Sequence, residues 1–282
     1  MTNERAWFLK HFLVWPDNGV VAPAQRDRFH AESLFHRAAR ISRCDREPLP
    51  TLVHQDANEQ CLVFEDAGPE VDGGAVLTES EVEALAWFLI NVHHHSQSVP
   101  VCARHCSEGI RRWHAARLFP AGLAARRGRD YRWRQRLFGE DVEVVSVLER
   151  SREALIDGGA NLVHGDFVPG NWVRTTAGLR VVDAEFSFFG RPEFDVGAFL
   201  AGLALLDLPR VVQARAHEVL AQACVRYDPG MVAAFLAVHL CSMLDGGAAG
   251  VRAPSGSQAL ALYRRAVAAI RQRDPSLTLP RG

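Results

Sequence analysis

The sequence predicts an α+β fold in two lobes, a small N-terminal lobe of strands and one helix and a larger, mainly helical C-terminal lobe. Three observations carry that expectation. Between Trp7 and Glu65, short runs of aromatic and branched residues alternate with one helical pattern. A cluster of Gly, Pro and Asp from Gly68 to Gly74 then interrupts the chain, and helical periodicity predominates after it. The 282 residues, 48% hydrophobic and 23% charged, suit one large domain or two lobes sharing a cleft, and exclude global disorder. We place the lobes at residues 1–68 and 69–282, with the cleft between them as the natural ligand site.

Trp7 to Val14, broken by Lys10 and His11, reads as a strand, and Pro16 to Pro23 as a loop. From Arg26 to Ile41 a helix carries Ala31, Leu34, Phe35 and Ala38 on its apolar stripe, with Glu32 on the flank. Leu52–His54 and Cys61–Glu65 read as strands joined by a polar turn, Gln55–Gln60. Thr78 and Glu81 form a capping-box pair ahead of a helix with Val82, Leu85, Ala86, Leu89 and Val92 on one face. Its last residues, His93, His94 and His95, point in different directions and cannot share one metal. Solvated helix-end histidines are expected there. Further helical patterns cover 108–125, 130–157, 193–206, 210–226, 230–244 and 257–272.

The densest chemistry lies between Asn161 and Gly197. His164-Gly165-Asp166 is followed by Pro169-Gly170-Asn171, and then two short apolar strands, Trp172–Arg174 and Leu179–Val182, flank a turn. Folding that hairpin near residue 177 sets Asn171 opposite Asp183, within one position. Opposed residues in an antiparallel pair have Cα atoms roughly 4.5–5.5 Å apart, so an amide and a carboxylate meet at the open end. If the chain stays extended, Glu185 projects to the same side as Asp183. Such hard oxygen ligands, completed by water or phosphate, suit Mg²⁺ in a phosphoryl-transfer site. Asp166, on a loop held by Gly165, Pro169 and Gly170, is placed to accept a proton from a substrate hydroxyl. Any one of these residues also fits ordinary turn capping. The set at this spacing points to a site.

His164-Gly165-Asp166 with Asn171, then Asp183-x-Glu185, resembles the aminoglycoside phosphotransferase and choline kinase group of kinase-like enzymes. The run from Glu185 through Gly190 to Asp195-Val-Gly197 looks closest to the methylthioribose kinases within that group. The resemblance covers about residues 5–206. It implies a protein-kinase-like two-lobed fold, ATP and Mg²⁺ as cofactors, and transfer of the γ-phosphate to a hydroxyl of a small molecule such as a sugar, an aminoglycoside or an amino alcohol. Asp166 matches the catalytic base, Asn171 and Asp183 the metal ligands, Glu185 the acidic residue beside them, and Asp195 a buried brace of the catalytic loop. Lys10 on its strand and Glu32 on the next helix match, by order and type, the lysine that binds the α/β-phosphates and its helix glutamate. Leu62-Val63-Phe64-Glu65-Asp66 resembles the hinge, where backbone groups around Phe64 and Glu65 would meet the adenine edge.

Of the 32 basic residues, 31 are arginine and only Lys10 is lysine, as expected where a compact, flexible point charge is needed. The family carries two strands and a short turn over the phosphates upstream of that lysine. Only nine residues precede Lys10, none of them glycine, whereas two strands and a turn need roughly 12. The chain is therefore expected to lack that element, either by truncation or as a minimal variant with an open nucleotide site. A catalytically weak binding or scaffold relative is the competing class. A protein-kinase role is disfavoured, because Asp-Ala-Glu stands where Asp-Phe-Gly would be.

A net charge of −1 gives no overall field for nucleic acid or an anionic membrane. The longest apolar run, Val196–Leu206, is 11 residues, against the ~18 or more of a membrane span. No signal peptide is visible, so a cytoplasmic protein with reduced cysteines is expected. Cys102, His105 and Cys106 resemble half a zinc site without a second ligand pair. The acceptor and the oligomeric state are left open.

Overall fold

The structure, a computed structural model, describes residues 7–13, 23–41, 48–66, 68, 77–98, 107–119, 141–176, 178–206, 208–246 and 254–280. Strands β1 (Trp7–His11), β2 (Leu52–Asp56) and β3 (Cys61–Glu65) form an antiparallel sheet in the order β1-β3-β2. β3 takes the centre and buries Leu62 and Phe64 in strict alternation. These two side chains pack with Phe12, Phe29 and Leu52 into a small core. β2 runs two residues past the expected His54. The turn is set only at Asp56, whose Oδ1 accepts the N–H groups of Asn58 (2.8 Å) and Glu59 (3.2 Å).

Helix α1 (Gln25–Ile41) belongs to both halves of the molecule. Its Phe29 completes the sheet core, while Phe35, Ala38 and Ala39 enter the large core beneath α2 (Glu79–His95). The expected capping box of α2 is present: Glu81 N–H donates to Thr78 Oγ1 at 3.3 Å, and Thr78 N–H to Glu81 Oε2 at 2.8 Å. Glu81 also takes both prongs of Arg174 at 2.8 Å, which pins the later hairpin to the start of α2.

Helices α3 (Glu108–Leu118) and α4 (Val142–Asp157) lead to a short pair, β4 (Asn161–Val163) with β7 (Phe188–Gly190), and to the hairpin β5 (Trp172–Thr175) and β6 (Gly178–Val181). α5 (Glu193–Leu205) is buried on every face from Glu193 to Leu203, as suits a helix that is apolar all round after Asp195. A Cβ on its Gly197 would stand 2.6 Å from the Leu236 backbone nitrogen, so glycine lets α7 (Pro229–Gly246) cross at close range. α6 (Arg210–Ala221) and α8 (Gly256–Gln272) complete the C-terminal lobe. α6 stops before the expected residue 226, because the Gln222 N–H turns back to the carbonyls of Val219 and Leu220.

The expected 108–125 helix ends at Leu118, and the 130–157 pattern is seen as 142–157. Val14, the interlobe connector at 69–76, residues 120–140 and the Cys102-His105-Cys106 group lie outside the described residues. The expectation of solvated histidines fails at the first of the three. His93 is fully buried rather than solvated, because it follows Leu89 by four residues on the apolar face of α2. Its Nε2–H donates to Asp195 Oδ2 at 3.2 Å, and the Tyr227 hydroxyl donates to its Nδ1 at 3.2 Å. His94 and His95 are exposed, as expected. Among the described residues, no helix is long and apolar enough to cross a membrane.

Candidate active site

The loop after β4 is held from behind. His164 and Gly165 donate their N–H groups to the two oxygens of Asp195, at 2.7 and 3.0 Å, and His93 supplies a third hydrogen bond. Asp195 is wholly buried in the first turn of α5, where the helix dipole favours a carboxylate. Gly165 has φ +85°, and a Cβ there would meet the Phe186 carbonyl oxygen at 2.1 Å. Only glycine fits. The Asp166 N–H donates to His164 Nδ1 at 3.3 Å, so Nε2 carries the ring proton and donates to the Val182 carbonyl at 3.2 Å. Burial lowers the pKa of this imidazole and keeps it neutral. His164 thus staples the loop to the residue before Asp183.

Asn171 Nδ2 donates to the Asp166 carbonyl (2.8 Å) and to its Oδ2 (3.0 Å), which leaves the amide oxygen as the atom available to a cation. Burial raises the pKa of Asp166 to about 6; Arg117 and the Asn171 bond oppose that rise, and Asp183 and Glu185 add to it. The β5–β6 ladder pairs Trp172 with Val181 and continues through Val182 N–H to the Asn171 carbonyl at 3.0 Å. Asn171 and Asp183 are therefore neighbours one position off opposite, close to expectation. Beyond that point the chain does not stay extended. Asp183 adopts φ +67°, and the Ser187 N–H closes a turn on the Ala184 carbonyl at 3.0 Å. Aspartate tolerates the left-handed region better than most residues. Glu185 reaches the same place as Asp183 through this reversal rather than by strand alternation.

Lys10 stands among the carboxylates. Its Nζ contacts Glu32 Oε2 at 2.6 Å, Asp183 Oδ1, and Glu185 Oε2 at 3.5 Å. Burial works to lower the lysine pKa, but the three carboxylates outweigh it and raise it, so the ammonium stays charged. Glu32 is buried rather than flanking, and burial pushes its carboxyl upward against the pull of Lys10. One oxygen from each of Glu32, Asp183 and Glu185 lies within 4.8 Å of the others. The Asn171 amide and the carboxylates of Asp183 and Glu185 are hard oxygen donors of the kind a small divalent cation takes.

A cavity of about 490 Å³ opens between the sheet and the hairpin. Lys10, Glu32, Glu65, Asp66, Arg180 and Asp183 bring charge to its wall, and Phe8, Pro50, Phe64, Val173 and Val182 are its apolar lining. Phe64 and Glu65 both line it. The Glu65 N–H already donates to the Thr51 carbonyl at 2.8 Å, and the next residue, Asp66, lines the cavity as well. Asp166 touches this cavity through Asn171, and Glu185 through Lys10.

No protein-family model matches the chain. Among solved structures, a spectinomycin phosphotransferase bound to AMP superposes with a TM-score of 0.51 at 12% identity, covering 98% of this chain and 87% of that one. A microcompartment-associated aminopropanol kinase gives 0.51 at 18% identity over 96% and 84%, and an aminoglycoside phosphotransferase from Alicyclobacillus acidocaldarius gives 0.50 at 17% over 96% and 88%. The fold is that of the aminoglycoside-phosphotransferase-like kinases. Local sequence similarity points the same way. Methylthioribose kinase 1 from Oryza sativa subsp. japonica is 35% identical over 66 residues, 23% of this chain, and the Geobacillus sp. enzyme 34% over 77 residues, 27% of it. These matches span only 15% and 19% of the relatives' own lengths.

Within this kinase-like fold, Lys10, Glu32, Phe64, Glu65, Asn171 and Asp183 line one cavity, while Asp166 and Glu185 do not line it and adjoin it through Asn171 and Lys10. Sequence reasoning missed Arg28, the partner of Glu185. It is buried, and its Nη1 donates to both Glu185 oxygens at 3.2 and 3.1 Å. A signal existed: Arg28 shares the helical stripe of Ala31, Phe35 and Ala38, where a charged residue needs a buried partner.

Proposed function

We propose that this protein is an ATP-dependent phosphotransferase that moves the γ-phosphate of ATP to a hydroxyl of a small molecule. One observation carries the reading. Asp166 bonds Asn171, Asn171 stands beside Asp183, and Asp183 touches Lys10, and the last three line one cavity together with Phe8 and Phe64. A proton acceptor, oxygen ligands for a cation and a phosphate-binding ammonium thus converge where a nucleotide fits. The aminopropanol kinase and aminoglycoside phosphotransferase neighbours, with the matched methylthioribose kinases, support a small-molecule acceptor.

In this reading residues 1–68 bind the nucleotide and residues 69–282 supply the loop and the acceptor side. The apolar side chains of the cavity take the base, and Lys10, oriented by Glu32, takes the α/β-phosphates. A divalent cation held by Asn171, Asp183 and Glu185 would neutralise charge on the triphosphate. Asp166 accepts the hydroxyl proton as the acceptor oxygen bonds to the γ-phosphorus; the bond from that phosphorus to the β–γ bridging oxygen breaks, and ADP leaves. A carboxyl with a pKa near 6 is ionised at neutral pH yet more basic than an ordinary aspartate, as suits a general base. Calorimetric titration with ATP and ADP, with and without Mg²⁺, tests this together with acceptor-stimulated ADP release across amino alcohols, aminoglycosides and sugars. Mg²⁺-dependent ATP binding with acceptor-dependent release is expected. A protein that binds no ATP at any Mg²⁺ concentration refutes the reading.

A further inference from the structure

We infer that Arg28 is a positioning residue of the cation site, fixing Glu185 and tying α1 and the end of β1 to the Asp183–Glu185 turn. The inference rests on the phosphotransferase reading. Arg28 and Glu185 are among the most buried charged side chains of the described residues, at 2% and 5% exposure. Nη1 of Arg28 bridges both oxygens of Glu185, at 3.2 and 3.1 Å, while Nη2 donates to the Leu13 carbonyl. One rigid guanidinium therefore joins three pieces of chain that each carry part of the site. Leu13 follows Lys10 by three residues, Arg28 precedes Glu32 by one helical turn, and Glu185 follows Asp183 by two.

The chemistry accounts for arginine at this position. A planar fork with donors on two nitrogens can hold a carboxylate and a carbonyl at once in fixed directions, which an ammonium cannot. Holding Glu185 through both oxygens fixes the plane of its carboxylate, the variable that decides whether it can face a cation between itself and Asp183. It also balances charge. Lys10 and Arg28 face Glu32, Asp183 and Glu185, two cations against three carboxylates, so Lys10 can turn to a phosphate without leaving Glu185 buried and unpaired. Loss of groups that orient metal ligands in this way typically costs about 10–100-fold in metal affinity or activity.

The test compares wild type, Arg28→Met and Arg28→Lys by titrating Mg²⁺ against binding of a non-hydrolysable ATP analogue, alongside melting curves and metal-free ADP binding. The half-saturating Mg²⁺ concentration should rise about tenfold or more in Arg28→Met and less in Arg28→Lys. ADP binding in EDTA should stay unchanged. In turnover assays the KM for MgATP should rise, and kcat should recover at saturating Mg²⁺. A purely structural arginine would lower the melting temperature and leave the Mg²⁺ requirement unchanged, which overturns the inference. Should Arg28→Met not fold, Arg28→Lys decides in its place, since it keeps the charge but not the planar fork; an unchanged Mg²⁺ requirement there is equally fatal. Wild type alone reports on the functional reading: no analogue binding there sinks that reading and this inference together, whereas normal wild-type binding with unchanged variants sinks only the role of Arg28.

Discussion

In the proposed mechanism Asp166 has to serve as an ionised base in a place that favours its neutral form. Burial raises its pKa to about 6 from an ordinary 3.8, so the folded protein binds this proton more tightly than the unfolded chain does. The stability it contributes is fully present below pH 4 and is lost as pH rises through about 6. Asp166→Asn should therefore melt above wild type at alkaline pH, with the gap closing in acid; melting curves across pH without metal check this. The same variant should keep nucleotide affinity while turnover drops roughly 10²–10⁴-fold, the usual worth of a general base. Wild-type turnover should fall as pH drops through about 6, where the carboxylate takes up its proton. Unchanged turnover in Asp166→Asn removes the residue from the mechanism. Asp183 offers a sharper contrast. Asp183→Ala should abolish Mg²⁺-dependent ATP binding, whereas Asn171→Ala, which loses only a neutral amide, should weaken it. Titration with and without Mg²⁺ distinguishes the two.

At the scale of elements, the loop between β4 and the hairpin depends on a carboxylate at the start of α5 and on the missing side chain of Gly165. Gly165→Ala would place a Cβ 2.1 Å from the Phe186 carbonyl, in a backbone conformation alanine disfavours. The loop must then shift, and Asp166 with it. Turnover is expected to collapse while metal-free ADP still binds the sheet side of the cavity, a split that steady-state kinetics and calorimetry would register. Equal loss of both would mean that the loop also forms the base pocket. The capping box of α2 provides the control. Thr78→Ala removes one cap, should cost about 1 kcal/mol, and should leave nucleotide affinity alone.

For the whole molecule, the proposed nucleotide would lie between the sheet and the hairpin and bind neither in the unfolded chain. MgATP at 100 times its Kd should then stabilise the fold by about 2.7 kcal/mol, and EDTA should remove most of that shift in melting temperature. How far such a site could be foreseen depends on what each residue answers to. Lys10, Glu32, Asn171 and Asp183 were legible because strand, helix and hairpin order bring them together, and order survives in one dimension. The burial of Arg28 and His93 was not, because a charged or imidazole side chain on an apolar stripe gains its meaning from partners, Glu185 and Asp195, more than 100 residues away in sequence. The reversal at Asp183 was hidden for a related reason. A positive φ at a non-glycine residue leaves no periodic trace, and here the turn onto Ala184 and the packing around it impose it. The hinge shows the same limit, since strand pairing and not side-chain identity decides that the Glu65 N–H is already taken.

That Lys10 is the only lysine has a practical corollary. Reagents that acylate primary amines find one side-chain target in this chain, on β1 among three carboxylates, besides the N-terminal amine. Acylation needs a neutral amine, however, and the three carboxylates hold Lys10 as an ammonium, so biotinylation or dye coupling would fall on the N-terminal amine while Lys10 and the 31 guanidinium groups are passed over. A protease specific for lysine has a single place to cut, inside β1.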